Sequence, residues 1–276
     1  MNGFFPQGRY GLLVLLCSGF ILAGLTNSCD NPLANQPDPE NYSLYLSDNQ
    51  YVNIPNSPSL ALVDSGEFSV ELFVSADSII PPDNPALFMV SNDSGGDEIG
   101  IYRSKMSDDR LLIYIHDQPI SGINNTPVNG LNFDSENWYY IAVTYDSGTV
   151  KLYLNGNLKL SGGIWDSTAI RIGSSPVLIG ADLADASLGN YWNGSFDEVR
   201  FWGRTLSAAE ILYNANHPKR YMEHYNRKVQ PRITLLGLWR FNDGHGTGVH
   251  DASAYGNNGE VTGGGKVVWR KKGYGG

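Results

Sequence analysis

Two short stretches of the chain combine aromatic rings with amide or carboxylate side chains, and these are the residue types that bind sugars. They are Trp165-Asp166 and Tyr191-Trp192-Asn193. Aromatic faces pack against sugar rings, while amides and carboxylates hydrogen-bond to hydroxyl groups. Both stretches lie in turn-rich connections, where side chains can be exposed. They are therefore candidate ligand-binding residues, the alternative being that their rings cap the ends of the folded core.

Sequence patterns for catalysis are missing. The sequence contains no H-E-x-x-H, G-x-S-x-G or phosphate-binding loop motif. Gly244, Gly246 and Gly248 are not a dinucleotide fingerprint, because no helix is predicted after them. The five histidines form no metal-binding spacing, and His245 and His250 are predicted to lie on loops. The sequence thus predicts a protein that is not an enzyme.

The overall charge restricts the class of partner. The formal net charge is −9, which argues against nucleic acid and against an anionic membrane surface. The charge does not exclude neutral glycans, proteins or cations as partners. With 41% apolar residues the chain is too apolar for intrinsic disorder.

The N-terminus has the pattern of an export signal. An apolar or small run covers residues 11–25, which is too short for a membrane-spanning helix and suits a signal peptide. Thr26-Asn27-Ser28-Cys29 then resembles a bacterial lipobox, so residues 1–28 are predicted to be a signal peptide and Cys29 a lipidated residue. The proline-containing residues 29–40 are predicted to be a tether. The protein would then be lipid-anchored in the bacterial cell envelope, at the outer membrane or cell surface; the alternative is plain secretion with cleavage nearby.

The rest of the chain alternates like β-strands. Residues 68–75 have period 2, with Phe68, Val70, Leu72 and Val74 on one side, which predicts a half-buried strand. Residues 138–160 predict a three-stranded meander whose second turn is Asn155-Gly156, a strong type I′ hairpin signal. One helix is predicted over residues 208–215, opened by the capping box Ser207-x-x-Glu210. Many short strands with one docked helix predict an all-β sandwich or jelly roll.

Four stretches together resemble the laminin-G-like jelly-roll domains of the concanavalin A-like lectin/glucanase superfamily. The resemblance extends over about residues 41–265 and is carried by residues 51–60 with 68–73, 137–146 with 150–156, 196–202 with 204–211, and 238–247 with 251–259. It implies a concanavalin A-like sandwich of two antiparallel sheets. We expect one domain over residues 41–269 and a basic flexible tail over residues 270–276.

The last of these stretches usually stands near the start of such domains, whereas here it lies near the C-terminus. Either this stretch completes a circularly permuted sandwich, or it begins a truncated second domain. Completion is favoured, because about 17 residues follow Gly259, too few to bury a core, and an open sandwich edge would invite aggregation.

The resemblance also implies a structural Ca²⁺ ion, held in some superfamily members by the aspartate of the D-x-V-R strand, here Asp197. Ca²⁺ needs six to eight oxygen ligands, and the turn containing Asp251 and Asn257 is a plausible second contributor. The alternative is that these residues cap turns. The acidic residues 91–98 lack EF-hand spacing and are predicted to be a solvated loop, with Asp93 and Asp97 the next candidates for the ion.

Glucanases of this superfamily carry an E-x-D-x-x-E pattern on one strand, which is absent here, and Glu71 stands alone on its strand. The resulting prediction is a non-catalytic envelope lipoprotein whose lectin-like domain binds carbohydrate with a structural Ca²⁺. The alternative is a protein-interaction or adhesion module without sugar binding. The predicted partner is accordingly a glycan or a surface protein, not nucleic acid.

Overall fold

The structure is a computed structural model. It describes residues 41–63, 66–77, 84–92, 96–105, 110–133, 137–164, 170, 173–184, 187–219, 234–271 and 273–274. In chain order, the elements are β1 Tyr42–Leu46, β2 Tyr51–Ile54, a 3₁₀ turn Leu60–Val63, β3 Glu67–Ala76, β4 Ala86–Ser91, β5 Asp97–Arg103, β6 Leu111–Ile115, β7 Gln118–Pro119, β8 Trp138–Asp146, β9 Thr149–Leu154, β10 Asn157–Gly163, β11 Val177–Ile179, β12 Asp182–Ala184, β13 Ser187–Gly189, β14 Gly194–Trp202, α1 Ala208–Asn216, β15 Leu235–Trp239, β16 Gly248–Val249, β17 Gly259–Thr262 and β18 Val268–Lys271.

Two antiparallel sheets form a sandwich. The first sheet has the order β10-β9-β8-β3-β14-β1-β18, with β15 also paired to β14. The second has the order β16-β17-β2-β11-β4-β5-β6-β7, and β12 and β13 form a separate hairpin. The main core lies between the sheets and includes Val52, Phe88, Ile141 and Phe196, none of them exposed to solvent. The predicted all-β sandwich with a docked helix is confirmed.

The local turn and cap signals are also confirmed. Strands β8, β9 and β10 pair as the predicted meander. Asn155 and Gly156 both have positive φ, 50° and 80°, as a type I′ turn requires. Helix α1 begins as predicted: the Ser207 hydroxyl accepts from the Glu210 backbone N–H at 3.3 Å, and Glu210 Oε2 accepts from the Ser207 N–H at 2.8 Å.

Strand β3 differs from the prediction, because both of its faces are buried. Its apolar side packs into the main core, as expected. Its other side is equally inaccessible: Ser69, Glu71 and Phe73 have no exposed surface. The reason is a second apolar layer outside the first sheet, to which α1 contributes Ile211 and Ala215.

Glu71 is the centre of a buried polar network within that layer. Its Oε1 accepts from the Tyr140 hydroxyl and from Asn214 Nδ2, the latter at 2.9 Å. Its Oε2 accepts from Trp202 Nε1 at 2.7 Å and lies 4.0 Å from Arg200 Nη1. Burial and the Glu71 carboxylate raise the pKa of Tyr140 well above its usual value, so its hydroxyl stays a donor. The network ties β3, β8, β14 and α1 together.

The C-terminal stretch supplies strands to both sheets. Strand β15 pairs with β14, β18 with β1, and β17 with β2. Trp239 has no exposed surface, and its Nε1 donates to the Asn257 carbonyl at 2.9 Å. The domain limits of 41 and 269 stay a prediction, but the strands of this stretch are built into the sandwich.

The predicted flexible tail over residues 270–276 is wrong for the part that is described. Arg270 and Lys271 pair with β1 as the end of β18. The Tyr274 ring packs on Phe73 at 4.3 Å between centroids, because Phe73 faces the second apolar layer, outside the first sheet. Basic composition alone did not reveal these contacts.

The predicted signal peptide, the lipidation site Cys29 and the tether lie outside the described residues. Within the ranges that are described, no helix has the length and apolar character needed to span a membrane.

Candidate functional site

The candidate ligand-binding stretch at residues 191–193 is divided between core and surface. Trp192 is 1% exposed and packs at 5.6 Å from Phe133 and 5.8 Å from Phe196, measured between ring centroids. It therefore belongs to the main core, and the prediction that it contacts a ligand is wrong. Tyr191, its neighbour in sequence, packs against a different cluster on the outer side of the second sheet, so the two rings do not share a surface.

Its two neighbours point elsewhere. Tyr191 is half-buried and lies 6.3 Å from the Tyr51 ring, on the outer side of the second sheet. Asn193 is exposed, and its carbonyl accepts from the Asp77 N–H at 3.1 Å. Trp165 and Asp166, the other predicted stretch, lie outside the described residues. Tyr191 is the predicted residue that the structure places on a potential ligand surface.

That surface is the outer side of the second sheet. Residues paired across neighbouring strands share a side of a sheet. The pairings give one outward row of Glu260, Asn53, Leu178, Met89, Gly100 and Tyr114. The β12–β13 hairpin covers the middle of the row, where Leu183 packs against Met89 and Leu178. We call the uncovered parts the polar face, formed by Asn53, Tyr191 and Glu260 on one side of the hairpin and by Asp97, Tyr114, Asp117 and Asn190 on the other, next to the buried side chains of Tyr102 and Asp182.

Two carboxylates lie close to one tyrosine on the polar face. The Tyr102 hydroxyl donates to Asp97 Oδ1 at 2.7 Å, and Asn190 Nδ2 donates to Asp182 Oδ2 at 2.9 Å. Gly100 makes room for this group, since a β-carbon there would lie 2.6 Å from the Tyr102 ring and 2.7 Å from Asp97 Oδ2. Tyr114 meets Tyr102 edge-on at 5.8 Å. Aromatic faces, amides and carboxylates thus come together.

The pKa values of both carboxylates are raised, chiefly by burial. Burial raises the pKa of Asp97 to about 6; the Tyr102 hydrogen bond opposes this shift, and the charges of Asp182 and Asp117 add to it. Burial also raises the pKa of Asp182, against its hydrogen bonds from Asn190 and Tyr102. Above about pH 6, Asp97 is therefore an ionised acceptor beside the buried Tyr102 hydroxyl.

A family comparison identifies the fold. The family model Laminin_G_3, described as the concanavalin A-like lectin/glucanases superfamily, matches residues 46–212. The chain belongs to the concanavalin A-like lectin/glucanase superfamily. The resemblance inferred from the sequence is confirmed. A comparison with curated proteins finds no match.

Solved structures of this lectin-like fold are similar at low identity. A Bacteroides ovatus protein to which carbohydrate binding has been ascribed has a TM-score of 0.57 and 15% identity, covering 84% of this chain and 60% of that one. The CBM40 of the Ruminococcus gnavus IT-sialidase, bound to α2,6 sialyllactose, has a TM-score of 0.49 and 13% identity, covering 64% of this chain and 97% of that one. Domain 4 of a Geobacillus stearothermophilus arabinanase, in complex with arabinotriose, has a TM-score of 0.45 and 19% identity, covering 63% of this chain and 76% of that one. The chain spans about 60% of the first structure, and these likenesses show the fold alone.

Two of the three predicted Ca²⁺ ligands do not fit a metal site in this lectin-like domain. Asp251 Oδ1 accepts from the Leu238 and Ser253 N–H groups, both at 2.8 Å, and Oδ2 accepts from the Ser253 hydroxyl at 2.7 Å and the Asn257 N–H at 2.6 Å. The Asn257 side chain is also fully used, since it donates to the Leu236 carbonyl at 2.7 Å and accepts from two serine hydroxyls. These contacts match the alternative prediction, in which Asp251 caps a turn instead of binding Ca²⁺.

Asp197 is different. It is 1% exposed; its Oδ2 accepts from the Tyr274 N–H at 2.8 Å, whereas its Oδ1 has no hydrogen-bond partner among the described residues. Burial and the neighbouring Glu198 raise the pKa of Asp197 well above its usual value. Across the described ranges, no group of three acidic, histidine or cysteine side chains could hold a metal ion. Asp197 can supply one oxygen, and Ca²⁺ stays a prediction that rests on this residue.

Most residues of the polar face carry no signal in the sequence. Residues 91–98 are predicted to be a solvated loop, but Asp97 begins β5 and faces Tyr102. Residues 97 and 102 are an odd number apart and would face opposite ways in a regular strand. A register shift beside the Ser91–Asp97 pair changes this, and no local sequence signal predicts it. Asp182 and Asn190 flank a hairpin and reach the site through tertiary structure alone.

One consequence of the buried carboxylate is a pH-dependent stability. Because the pKa of Asp97 is about 6 in the folded state and 3.8 in the reference state, folding favours its protonated form. The unfolding free energy should thus fall as pH rises from about 4 to 6. We expect Asp97→Asn to melt about 2–5 °C higher than wild type at pH 7.5 and to show little difference at pH 4. Melting temperatures between pH 4 and 8 measure this, with exposed Asp146→Asn as control; a difference independent of pH would contradict it.

Proposed function

We propose that this chain is a non-catalytic carbohydrate-binding protein of the cell envelope, with the polar face as its glycan site. The observation that carries the proposal is the meeting of tyrosine rings, amides and carboxylates on the outer side of one sheet of a lectin-like sandwich. Hydroxyl groups both donate and accept, so a saccharide can satisfy Asp97 and Asn190 together while a ring packs on Tyr114 or Tyr191. A non-catalytic role is supported by Glu71, whose two oxygens are occupied in a fully buried network.

A glycan array tests the proposal, with the full-length Cys29→Ser chain as the soluble form. We expect binding to a defined set of glycans, weakened about ten-fold by Asn190→Gly. Glycine is chosen because Asn190 has a φ of 49°, which glycine adopts without strain. Asn155→Gly is the matched control, since Asn155 also has positive φ, 50°, and lies in a turn of the first sheet.

The adhesion alternative predicts a different outcome. If the array stays silent with and without Ca²⁺, while the same chain captures a defined surface protein, the polar face is a protein-binding surface and the glycan proposal is wrong. Equal glycan binding by wild type and Asn190→Gly would leave carbohydrate binding intact and move it away from the polar face.

We further propose that Cys29 carries the lipid anchor and that residues 30–40 hold the domain away from the membrane. Acylation adds about 0.8 kcal/mol of membrane affinity per buried CH₂ group, and two chains together give stable anchoring. Cys29→Ser should therefore move the exported protein from the membrane fraction to the soluble fraction. Cys17→Ser is the control and should leave the distribution unchanged; a wild type already soluble after export would contradict the anchor.

Finally, we propose a structural Ca²⁺ ion at Asp197, supported by its buried Oδ1. An ion at one hundred times its Kd adds about 2.7 kcal/mol to the stability of the folded state. For a domain of this size that corresponds to about 5–10 °C in Tm. Chelation should lower the Tm of wild type by this amount and leave Asp197→Ala unchanged. An equal shift in both proteins would place the ion elsewhere, and no shift in either would remove it.

A further inference from the structure

A separate cleft lies where the chain passes from the first sheet into the second, between β15 and β17. Its volume is about 410 Å³, and its polar lining comprises Asp243, His245, His250 and Asn258. The two imidazoles and the amide are exposed, whereas Val249, also in the lining, is 1% exposed. The cleft is therefore a shallow, open depression with an apolar floor and polar side chains around it.

Part of the wall of this C-terminal cleft is backbone, at Gly246, Gly248 and Gly259. Gly246 has a φ of 70°, which few other residues adopt. A β-carbon at Gly246 or Gly248 would meet no atom within 4 Å, so these glycines leave open space. Side chains at these positions would occupy the opening that the glycines keep free.

Hydrogen bonds outside the lining hold the loop in place. Trp269 Nε1 donates to the Gly246 carbonyl at 3.1 Å. The Val261 N–H donates to the Thr247 carbonyl at 2.7 Å, and the Thr247 hydroxyl donates to Glu260 at 2.9 Å. The cleft is thus preformed by β17 and β18, which reduces the entropy lost when a ligand binds.

The lining also indicates the ligand's chemistry. One carboxylate, two imidazoles and one amide provide both donors and acceptors, as vicinal hydroxyl groups require. Among the described residues, the lining has no lysine or arginine, and the Asp243 carboxylate disfavours phosphate or sulfate groups. The described side chains include no group of three acidic, histidine or cysteine residues suited to a metal.

We propose that the C-terminal cleft is a second binding site, for one or two neutral sugar units, separate from the polar face. Its volume lies within the range of about 300–1,000 Å³ that small ligands occupy. The inference rests on the proposed function, since it assumes a saccharide ligand. Two sites on one domain would let it bind a glycan chain at two points, or two chains at once.

Saturation-transfer NMR with neutral mono- and disaccharides of glucose, galactose, mannose, xylose and arabinose tests this on the full-length Cys29→Ser chain. Gly248→Trp should fill the cleft, and the open space around Gly248 should accommodate the ring. For the saccharides that bind the cleft, we expect Gly248→Trp to lose at least ten-fold of the saturation-transfer signal. Asn190→Gly should keep the signal of these saccharides. The double variant His245→Ala/His250→Ala should reproduce the loss, and Leu158→Trp, at an exposed position of the first sheet, should not.

The outcomes separate the two proposals. Saccharide binding that survives both cleft variants but is lost in Asn190→Gly would overturn the cleft and leave the proposed function in place. A wild type that binds no saccharide in NMR or on the array would overturn both. If Gly248→Trp fails to fold, judged by its melting curve, the double histidine variant decides, because both imidazoles are exposed.

Discussion

Deleting residues 217–276 is expected to abolish folding. The deletion removes β15 and β18 from the first sheet and β16 and β17 from the second. It leaves the edges of β1, β14 and β2 unpaired, and unpaired edges invite aggregation. It also removes Trp239, which has no exposed surface in the main core. The truncated chain should be insoluble or show no cooperative melting transition.

A point variant isolates the packing part of this effect. Trp239→Ala should lower the unfolding free energy by about 3–5 kcal/mol, the usual range for a fully buried large aromatic residue. Val268→Ala is the control in the same stretch, since Val268 is 38% exposed and should cost little. Urea unfolding measures both. A soluble deletion product with an unchanged melting temperature would show that this stretch is not part of the sandwich.

The second large effect is expected at Glu71. Glu71→Ala leaves Tyr140, Trp202 and Asn214 without their carboxylate acceptor. Arg200 loses the second of two carboxylate neighbours and keeps its 3.0 Å ion pair with Glu198. Removing one partner of a buried charged network typically costs about 3–5 kcal/mol. Because Asn214 lies on α1, the variant should also loosen the helix. We expect a lower urea midpoint together with faster amide exchange in α1.

Two further variants make this interpretation specific. Tyr140→Phe removes one donor and should cost less than Glu71→Ala, and the double variant should be less destabilising than the sum of the two, because the residues share one hydrogen bond. Asp146→Ala, at an exposed acid at the end of β8, is the matched control. A Glu71→Ala cost below about 1 kcal/mol would show that the network contributes little to stability.

Local chemistry explains which features were predictable. The Asn155-Gly156 turn and the Ser207–Glu210 cap each depend on a few adjacent residues, so their sequence signals determine their conformation. The sandwich itself followed from strand periodicity together with the family resemblance. The alternation of β3 was identified, but not the layer that buries its second face, since that layer comes from α1 and β15, far away in the sequence.

The site was less predictable for the same reason. Aromatic residues suggested a sugar site at residues 191–193, but composition could not distinguish Trp192 in the core from Tyr191 on the surface. The acidic partners, Asp97 and Asp182, meet only after β5 has joined the second sheet and the β12–β13 hairpin has packed on its outer side. Asp251 had the right residue type for a metal ligand, but the backbone N–H groups around it use its oxygens.

The most direct test of the central claim is to map saccharide binding by NMR on the isotopically labelled full-length Cys29→Ser chain. With the best-bound glycan of the array, we predict that the backbone amides of Asn53, Gly100, Tyr114 and Asn190 shift in a saturable manner. The amide of Leu212, on α1 outside the first sheet, should not move. Saturable binding that leaves every residue of the polar face unperturbed, or no binding at all, would contradict the account.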